Sequence, residues 1–436
     1  MRAADWLLVV AILPLVSAAL PDICSAKPRD LPLEPRCIYR SPEPEDPEDP
    51  TSEPVPGSTN PRVWELSKAN SRFALSLYRQ LALSKTPESN IFMSPISIST
   101  AFAMTKLGAC NHTLQQIMKV FEFDTIKEKT SDQVHFFFAK LNCRLYRKKD
   151  RTTEVISANR LFGDKSLTFN ETYQNISEMV YGAKLLPLNF RVRRWNTRPS
   201  NLIVEPDPGH AATGGLLCKG AGFPDGQWKN KFDKENVYAA DFHLSPSRSC
   251  PVSMMYQEAR FKYRHLRDDH MQLLEMPYRG DDITMVIILP SKDATLSQVE
   301  AGLDLKKVTG WLEGMKETTV SVHLPRFRVE DAFSLKEKLQ AMGLRDLFSP
   351  DRASLPGMLE DGGDGVHISD AFHKAFLEVN EEGSEAAAST TVVAVGRSIN
   401  LNRVVFQANR PFLLLIREAT INALLFMARV ADPCGQ

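Results

Sequence analysis

The chain has 436 residues, enough for up to three domains, although single folds of this size also occur. Its 53 basic and 53 acidic residues cancel, which excludes an overall charge attraction to nucleic acid or to membranes. Any polyanion site must therefore be a local patch.

The first 18 residues have the form of a signal peptide. Arg2 supplies the charged end, residues 6–16 are apolar, and residues 16–18 form a small-residue cleavage pattern. No other stretch offers the ~18 uninterrupted apolar residues of a membrane span, since polar residues divide 412–430 into two strands around a turn. We expect a protein secreted into an extracellular fluid such as plasma, without a membrane partner.

Secretion makes the seven cysteines candidates for disulfides. The sequence by itself does not pair them, and the odd number leaves one over. They are Cys24, Cys37, Cys110, Cys143, Cys218, Cys250 and Cys434.

Three motifs have the form of N-glycosylation acceptors, at Asn111, Asn170 and Asn175. Asn170 and Asn175 are too close for full occupancy of both. The motif is short, so each is a prediction of an acceptor only.

Residues 19–61 precede the folded body. Within them, residues 42–61 alternate acidic residues with proline, which disfavours a packed core and predicts an exposed linker. One helical pattern begins at Arg62. A second covers residues 96–107, and Ser94-Pro95 marks its start. We therefore place the main domain at residues 62–436.

Residues 130–151 predict an amphipathic helix with a basic stripe. On a helix, Lys140, Arg144, Arg147 and Arg151 fall within about 60° of one another, beside an apolar face. Such stripes are usually solvated. This one is nearly free of acids before Asp150, so the charges repel one another unless an anion binds.

Residues 191–227 read as a poor strand. The segment contains four prolines and six glycines, both depleted from central strands. Only residues 201–204 and 216–218 have strand character. Gly220, Gly222 and Gly226 have the wrong spacing for a phosphate-binding loop, and no strand precedes them.

The pattern is regular after this segment. Residues 282–290 predict a buried strand, residues 319–324 a half-buried strand, and residues 333–342 an amphipathic helix ended by Gly343. His373 stands alone, without a hydrolase or metalloprotease motif, so we interpret it as structural and expect no enzyme.

Residues 381–398 have the composition of a loop that could become a strand. Every second residue from Ser384 onward is small, and residues two apart share one face of a strand. The alternative is that residues 385–388 end a helix, because Glu and Ala favour helices.

The sequence of residues 381–390, the Arg397-Ser398 pair, residues 409–412 and Asp432-Pro433 closely resembles the hinge, reactive bond and closing strands of the serpin family. Gly383 and Arg397 also have the family's hinge spacing. The resemblance implies an α+β fold with helices around a large mixed central sheet and an exposed reactive loop. It also implies a suicide inhibitor whose cleaved loop inserts into that sheet.

The resemblance assigns roles to particular residues. The reactive bond is Arg397-Ser398, and the arginine implies trypsin-like targets such as thrombin and factor Xa, because its guanidinium needs a carboxylate in the protease pocket. The disulfides implied are Cys24–Cys143, Cys37–Cys110 and Cys250–Cys434, with Cys218 left over. The hinge positions are Glu381, Gly383, Ser384, Ala386, Ala388 and Thr390.

The match to heparin-activated members of the family implies a heparin or heparan sulfate site, no metal and a monomer. Carried over by position, the binding set is Lys27, Arg29, Arg62, Lys129, Lys140, Arg144, Arg147, Lys148 and Arg151. Pro61 and Glu122 stand where the family pattern has basic residues, which predicts a weaker site.

Residues 191–227 depart from the family pattern, in the region of a central strand. A missing strand leaves unpaired sheet edges and prevents loop insertion. The expectations are therefore a working heparin-dependent inhibitor, a heparin-binding protease substrate that does not inhibit, or a defective isoform. A misread or alternatively spliced exon is the favoured origin of the segment.

Overall fold

The computed structural model describes residues 24, 36–39, 55, 57, 59–126, 133–146, 156–164, 166–183, 185–188, 214–222, 226–362, 366–384 and 404–434. The signal peptide, most of the linker, and Arg397 and Ser398 lie outside the described residues. In the described part of the chain, no helix is both long and apolar enough to cross a membrane.

Eight α-helices are described. They are α1 (Pro61–Ser84), α2 (Pro95–Gly108), α3 (Asn111–Val120), α4 (Gln133–Tyr146), α5 (Glu171–Tyr181), α6 (Leu296–Ala301), α7 (Leu305–Glu313) and α8 (Lys336–Met342). Asn60 caps α1 by accepting a hydrogen bond from Arg62 N, and Pro61 occupies the first turn, where its missing N–H costs nothing. Pro61 is therefore a helix-start residue here.

The strands in the described part of the chain fall into three sheets. They are β1 (Ile91–Met93), β2 (Ile156–Asp164), β3 (Leu185–Leu188), β4 (Gly214–Gly222), β5 (Gly226–Gln227), β6 (Val237–Ser245), β7 (Arg248–Leu266), β8 (Met271–Pro277), β9 (Ile283–Pro290), β10 (Lys316–Pro325), β11 (Phe327–Ser334), β12 (Ala371–Val379), β13 (Gly383–Ser384), β14 (Val404–Gln407), β15 (Phe412–Glu418) and β16 (Ala423–Val430). A nine-stranded sheet has the order β1-β16-β15-β9-β8-β7-β10-β14, with β6 also on β7. A five-stranded sheet has the order β11-β12-β4-β2-β3, and β13 pairs with β5.

Helix α2 joins the two larger sheets through the core. Every residue of α2 is buried, and the helix contacts β16 of the nine-stranded sheet and β2 and β4 of the five-stranded sheet. The buried strands β9, β15 and β16 form the other side of this core. The fold is the predicted α+β arrangement of helices around large sheets.

The composition of residues 191–227 put a central strand in doubt, and the structure contains one that includes the candidate residues 216–218. Strand β4 lies inside the five-stranded sheet, parallel to β12 on one side and antiparallel to β2 on the other. The pairing shifts by one residue near Gly220, so β4 holds a bulge where glycine is favourable. A ladder of backbone hydrogen bonds needs no particular side chain, which is why composition was a poor guide.

Most other predicted elements are confirmed, with shifted bounds. The predicted helix at residues 333–342 begins only at Lys336, because Phe333 and Ser334 continue β11. It ends at Gly343, whose φ of 115° favours glycine. The predicted half-buried strand is the longer β10, which is mostly buried from Val320 onward.

Three disulfides form, Cys24–Cys143, Cys37–Cys110 and Cys250–Cys434, and these are the three pairs that the resemblance implies. The first joins the N-terminal extension to α4, and the second joins it to the residue that precedes α3. The side chain of Cys218 lies outside the described residues.

Candidate functional site

The segment that follows β12 is held in a tight turn. Asn380 Oδ1 accepts hydrogen bonds from Glu382 N at 3.0 Å and Gly383 N at 3.2 Å. The Asn380 N–H donates to Gly383 O at 2.8 Å. Asparagine favours such turns because its side chain binds backbone groups two or three residues on.

The turn is fastened to the chain that follows β5. Trp228 N donates to Glu382 O at 2.8 Å, Phe232 N donates to Glu381 O at 3.0 Å, and Trp228 Nε1 donates to Asn380 O at 3.0 Å. Trp228 is buried and stacks on Tyr278, with ring centroids 4.5 Å apart. The predicted hinge segment therefore packs on a buried aromatic pair that the sequence did not reveal.

Ion pairs add to this support. Lys231 Nζ lies 2.5 Å and Lys234 Nζ 3.7 Å from the two carboxylate oxygens of Glu382. Arg326 Nη1 lies 3.9 Å from Glu381 Oε1. Both glutamates are buried, so each needs a nearby cation to offset its lost hydration.

Gly383 fits its position because it has no side chain. Its φ is 143°, and an added Cβ would collide with the carbonyl oxygen of Gly226, across the β5–β13 pair. Ser384 is the last described residue before the loop. Ala386, Ala388 and Thr390 lie outside the described residues, and their hinge role stays a prediction.

The basic stripe is only partly described. Lys140 Nζ donates to Cys24 O at 2.6 Å and lies 5.0 Å from the centre of the Phe136 ring. Arg62 pairs with Glu65 at 2.9 Å. The other predicted members lie outside the described residues: Lys27, Arg29, Lys129, Arg147, Lys148 and Arg151.

One premise of the stripe is wrong, because Arg144 has an acidic partner. Arg144 Nη2 lies 2.8 Å from Oε1 of Glu418, whose side chain is 1% exposed. The other oxygen of Glu418 accepts hydrogen bonds from the backbone of Thr420 and Ile421. Glu418 is distant in sequence, so the local acid count in residues 130–151 could not include it.

Glu122 also finds a partner. Its carboxylate accepts from Arg72 Nε at 2.7 Å, and its φ is 60°. The acidic residue is therefore neutralised by α1.

The predicted glycosylation acceptors lie at helix positions. Asn111 begins α3 and is exposed, Asn170 caps α5 through Tyr173 N, and Asn175 is exposed on α5. Their glycosylation stays a prediction.

His373 is a structural residue in this geometry. Its Nε2 accepts a hydrogen bond from Ser94 N at 3.0 Å, and complete burial lowers the pKa of the imidazole to about 3. Burial also lowers the pKa of His135, with the charge of Lys106 adding to the shift. His373 and His135 are therefore neutral imidazoles in the folded protein.

Because burial lowers the pKa of His373, we expect the folded protein to lose stability in mild acid. The unfolded imidazole binds a proton below pH ~6.5, whereas the folded one binds it only near pH 3, so stability falls as pH falls through this window. We expect His373→Gln, whose amide can still accept from Ser94 N, to reduce the loss between pH 7 and pH 5 by about 2 kcal/mol. Urea unfolding at both pH values measures it.

The exposed residue His243 provides the control. His243→Gln should follow the wild-type pH dependence. An equal acid sensitivity in His373→Gln and wild type would contradict the assignment.

One group of possible metal ligands occurs among the described residues, formed by Cys250, Asp432 and Cys434. Its two cysteines are joined as a disulfide, so they offer no thiolate.

Comparison with known proteins identifies relatives of the whole chain. The model of the Serpin (serine protease inhibitor) family matches residues 68–206 and 216–433. Within the segment 191–227, which we expected to depart from the family pattern, the match leaves out residues 207–215 and includes the rest.

The chain is 58% identical to human Antithrombin-III over 426 residues, covering 95% of this chain and 92% of the relative. Identity to mouse Antithrombin-III is 57% over the same length. Human Serpin B3 is 37% identical over 395 residues, covering 84% of this chain and 99% of that protein. The solved structure of human thyroxine-binding globulin superimposes with a TM-score of 0.76 at 25% identity, covering 86% of this chain and all of that chain.

Proposed function

The chain belongs to the serpin family of serine protease inhibitors, and we propose that it traps trypsin-like coagulation proteases such as thrombin and factor Xa. We propose heparin or heparan sulfate as the activator, as in the antithrombins that it resembles. The signal-peptide pattern and the three disulfides support secretion.

The observation that carries the proposal is the parallel pair of β4 and β12 directly before the hinge. A strand that follows β12 after a turn can run antiparallel to both neighbours. Parallel pairing is slightly less stable per residue than antiparallel pairing, so two antiparallel ladders would replace one weaker ladder. We therefore expect insertion of the cut loop to lower the free energy of the protein.

We propose that the turn at the hinge delays insertion until the loop is cut. Its hydrogen bonds to Trp228 and Phe232 fix where the chain leaves β12. While both loop ends are tethered, the segment cannot extend fully between the strands. Cleavage after Arg397 frees one end, and the acylated protease travels with it.

A covalent-complex assay tests the proposal. The full chain is incubated with thrombin and heparin and separated after boiling in detergent. We expect a band at the summed mass of the two proteins, since the acyl bond survives denaturation. Cleavage without this band would support the alternative of a plain protease substrate, and an insoluble or unsecreted product would support the defective isoform.

The heparin proposal is supported by how the extension is tethered. Cys24 is bonded to Cys143 of α4, with 5.6 Å between the Cα atoms. Lys27 is three residues from Cys24, so its Cα lies within about 11 Å of the Cys24 Cα at full extension. The tether joins the extension at Cys24 to α4, the helix that carries Lys140 and Arg144. We propose that Lys27 adds its charge to theirs when a sulfated chain binds.

Lys140→Gln should weaken heparin binding. A cation that contacts a polyanion releases about one counterion when it binds, and the variant loses this contact. We therefore expect about a tenfold weaker affinity and a slope of log K against log salt concentration that is smaller by about one. Titration of heparin at several salt concentrations measures both. Lys140 is preferable to Arg144, whose removal would leave Glu418 buried and unpaired.

Arg248→Gln is the matched control, because Arg248 is exposed on β7 and pairs with Glu88. It should bind heparin as the wild type does. Unchanged heparin binding by Lys140→Gln would show that Lys140 does not contribute to the site.

A further inference from the structure

The hairpin turn between β8 and β9 carries the sequence Arg279-Gly280-Asp281, which occurs once in the chain. Arg279 and Asp281 are both exposed, and so is Asp282, which follows them. The heparin and hinge proposals give this turn no role.

The backbone of the turn is tight. Asp281 N donates to Tyr278 O at 3.1 Å, and Tyr278 N donates to Ile283 O at 3.0 Å, so the chain reverses its direction over residues 279–282. Gly280 has a φ of 95° and Asp281 a φ of 61°, and glycine and aspartate tolerate such values better than most residues. The turn therefore presents a guanidinium and a carboxylate, two residues apart, at one exposed tip.

The turn is fastened to the body of the protein. Tyr278, where it begins, is buried. Arg279 N donates to Gln227 O at 2.7 Å. Ala419 N donates to Asp282 O at 2.7 Å on the other side. A turn that is already fixed by its surroundings loses little conformational entropy when a partner binds, which favours binding.

The carboxylate of Asp281 pairs with a lysine that a partner would have to displace. Lys229 Nζ lies 2.8 Å from each of its two oxygens. The two side chains are 51% and 59% exposed, and ion pairs as exposed as this one contribute little, because water hydrates and screens both charges. The pair with Lys229 therefore lowers the affinity for a partner modestly and does not close the site.

We propose that this turn binds an integrin-class receptor, a cell-surface protein that completes the coordination of a bound divalent cation with a carboxylate of its ligand. Asp281 supplies that carboxylate, a hard oxygen ligand suited to Mg²⁺ or Mn²⁺. Arg279 supplies a guanidinium that pairs with a receptor carboxylate through two charge-assisted hydrogen bonds. Gly280 has no side chain to keep the two surfaces apart. The proposal rests on the extracellular location proposed above and does not depend on protease inhibition.

Surface plasmon resonance tests the proposal on the immobilised full chain, with the ectodomain of an integrin that binds Arg-Gly-Asp ligands, in buffer containing Mn²⁺. We expect wild type to bind with a Kd of about 1 μM. Binding should be lost when EDTA removes the cation. A short Arg-Gly-Asp peptide should compete, whereas an Arg-Gly-Glu peptide, with its carboxylate displaced by one methylene, should not.

Asp281→Asn should weaken binding at least about tenfold, because asparagine keeps the turn but lacks the charged ligand for the cation. Asp282→Asn is the matched control, since it removes the same charge from the next residue of the turn, and it should bind as wild type does. Lys229→Gln should bind about two- to fivefold more tightly, because it releases Asp281 from its ion pair.

Thermal unfolding of each variant separates lost binding from lost folding. The proposal would be overturned by no binding in the wild type, by binding that survives EDTA, or by equal affinities of Asp281→Asn and Asp282→Asn. Weaker binding by Lys229→Gln would also contradict it, because the receptor would then be using the lysine.

Discussion

Replacing Arg397 by glutamate is expected to slow the trapping of thrombin by about 10⁴-fold, because a pocket built to bind a guanidinium rejects a side chain that leaves its carboxylate unpaired. The added negative charge would also face that carboxylate directly. The rate of loss of thrombin activity, followed with a chromogenic substrate at fixed inhibitor excess, measures the effect.

Arg397→Lys is the control. Lysine keeps the positive charge but loses the bidentate geometry, so its rate should fall far less than that of the glutamate variant. Heparin binding should be unchanged in both variants if the activator binds at α4. Wild-type trapping by Arg397→Glu would show that Arg397-Ser398 is not the bond attacked.

Replacing Ala388 by arginine is expected to convert the inhibitor into a substrate. Ala388 belongs to the alternate set of small residues that would face the protein interior when the loop inserts. Burying an unpaired guanidinium costs several kcal/mol, and about 3 kcal/mol slows a step by more than a hundredfold. Hydrolysis of the acyl bond would then finish before insertion.

The ratio of covalent complex to cleaved chain measures this competition. We expect mostly complex from wild type and mostly cleaved chain from Ala388→Arg. The matched control is Ala387→Arg, which places the same charge on the opposite face of the inserted strand, in water. If both variants formed complex equally well, insertion in the predicted register would be contradicted.

Features that depend on residues close together in the chain could be predicted from the sequence. The alternation of small residues from Ser384 identifies a potential strand face, because the side-chain period of a strand is two whatever surrounds it. The buried strand β9 was predictable from its continuous apolar run, and the helix end at Gly343 from the preference for glycine just after a helix. The disulfide pairing came from resemblance, because spacing does not select among seven cysteines.

The contacts that control these segments join residues far apart in the chain, so they became visible only in the folded protein. Arg144 meets Glu418, which lies 274 residues away. Gly383 packs on Gly226, and Asn380 binds Trp228, from a part of the sequence that no local pattern connects to the hinge. Strand β4 pairs through its backbone, despite a composition that disfavours strands. All four cases have the same origin, because local periodicity fixes which way a side chain points, whereas the packing of distant strands fixes which residues it contacts.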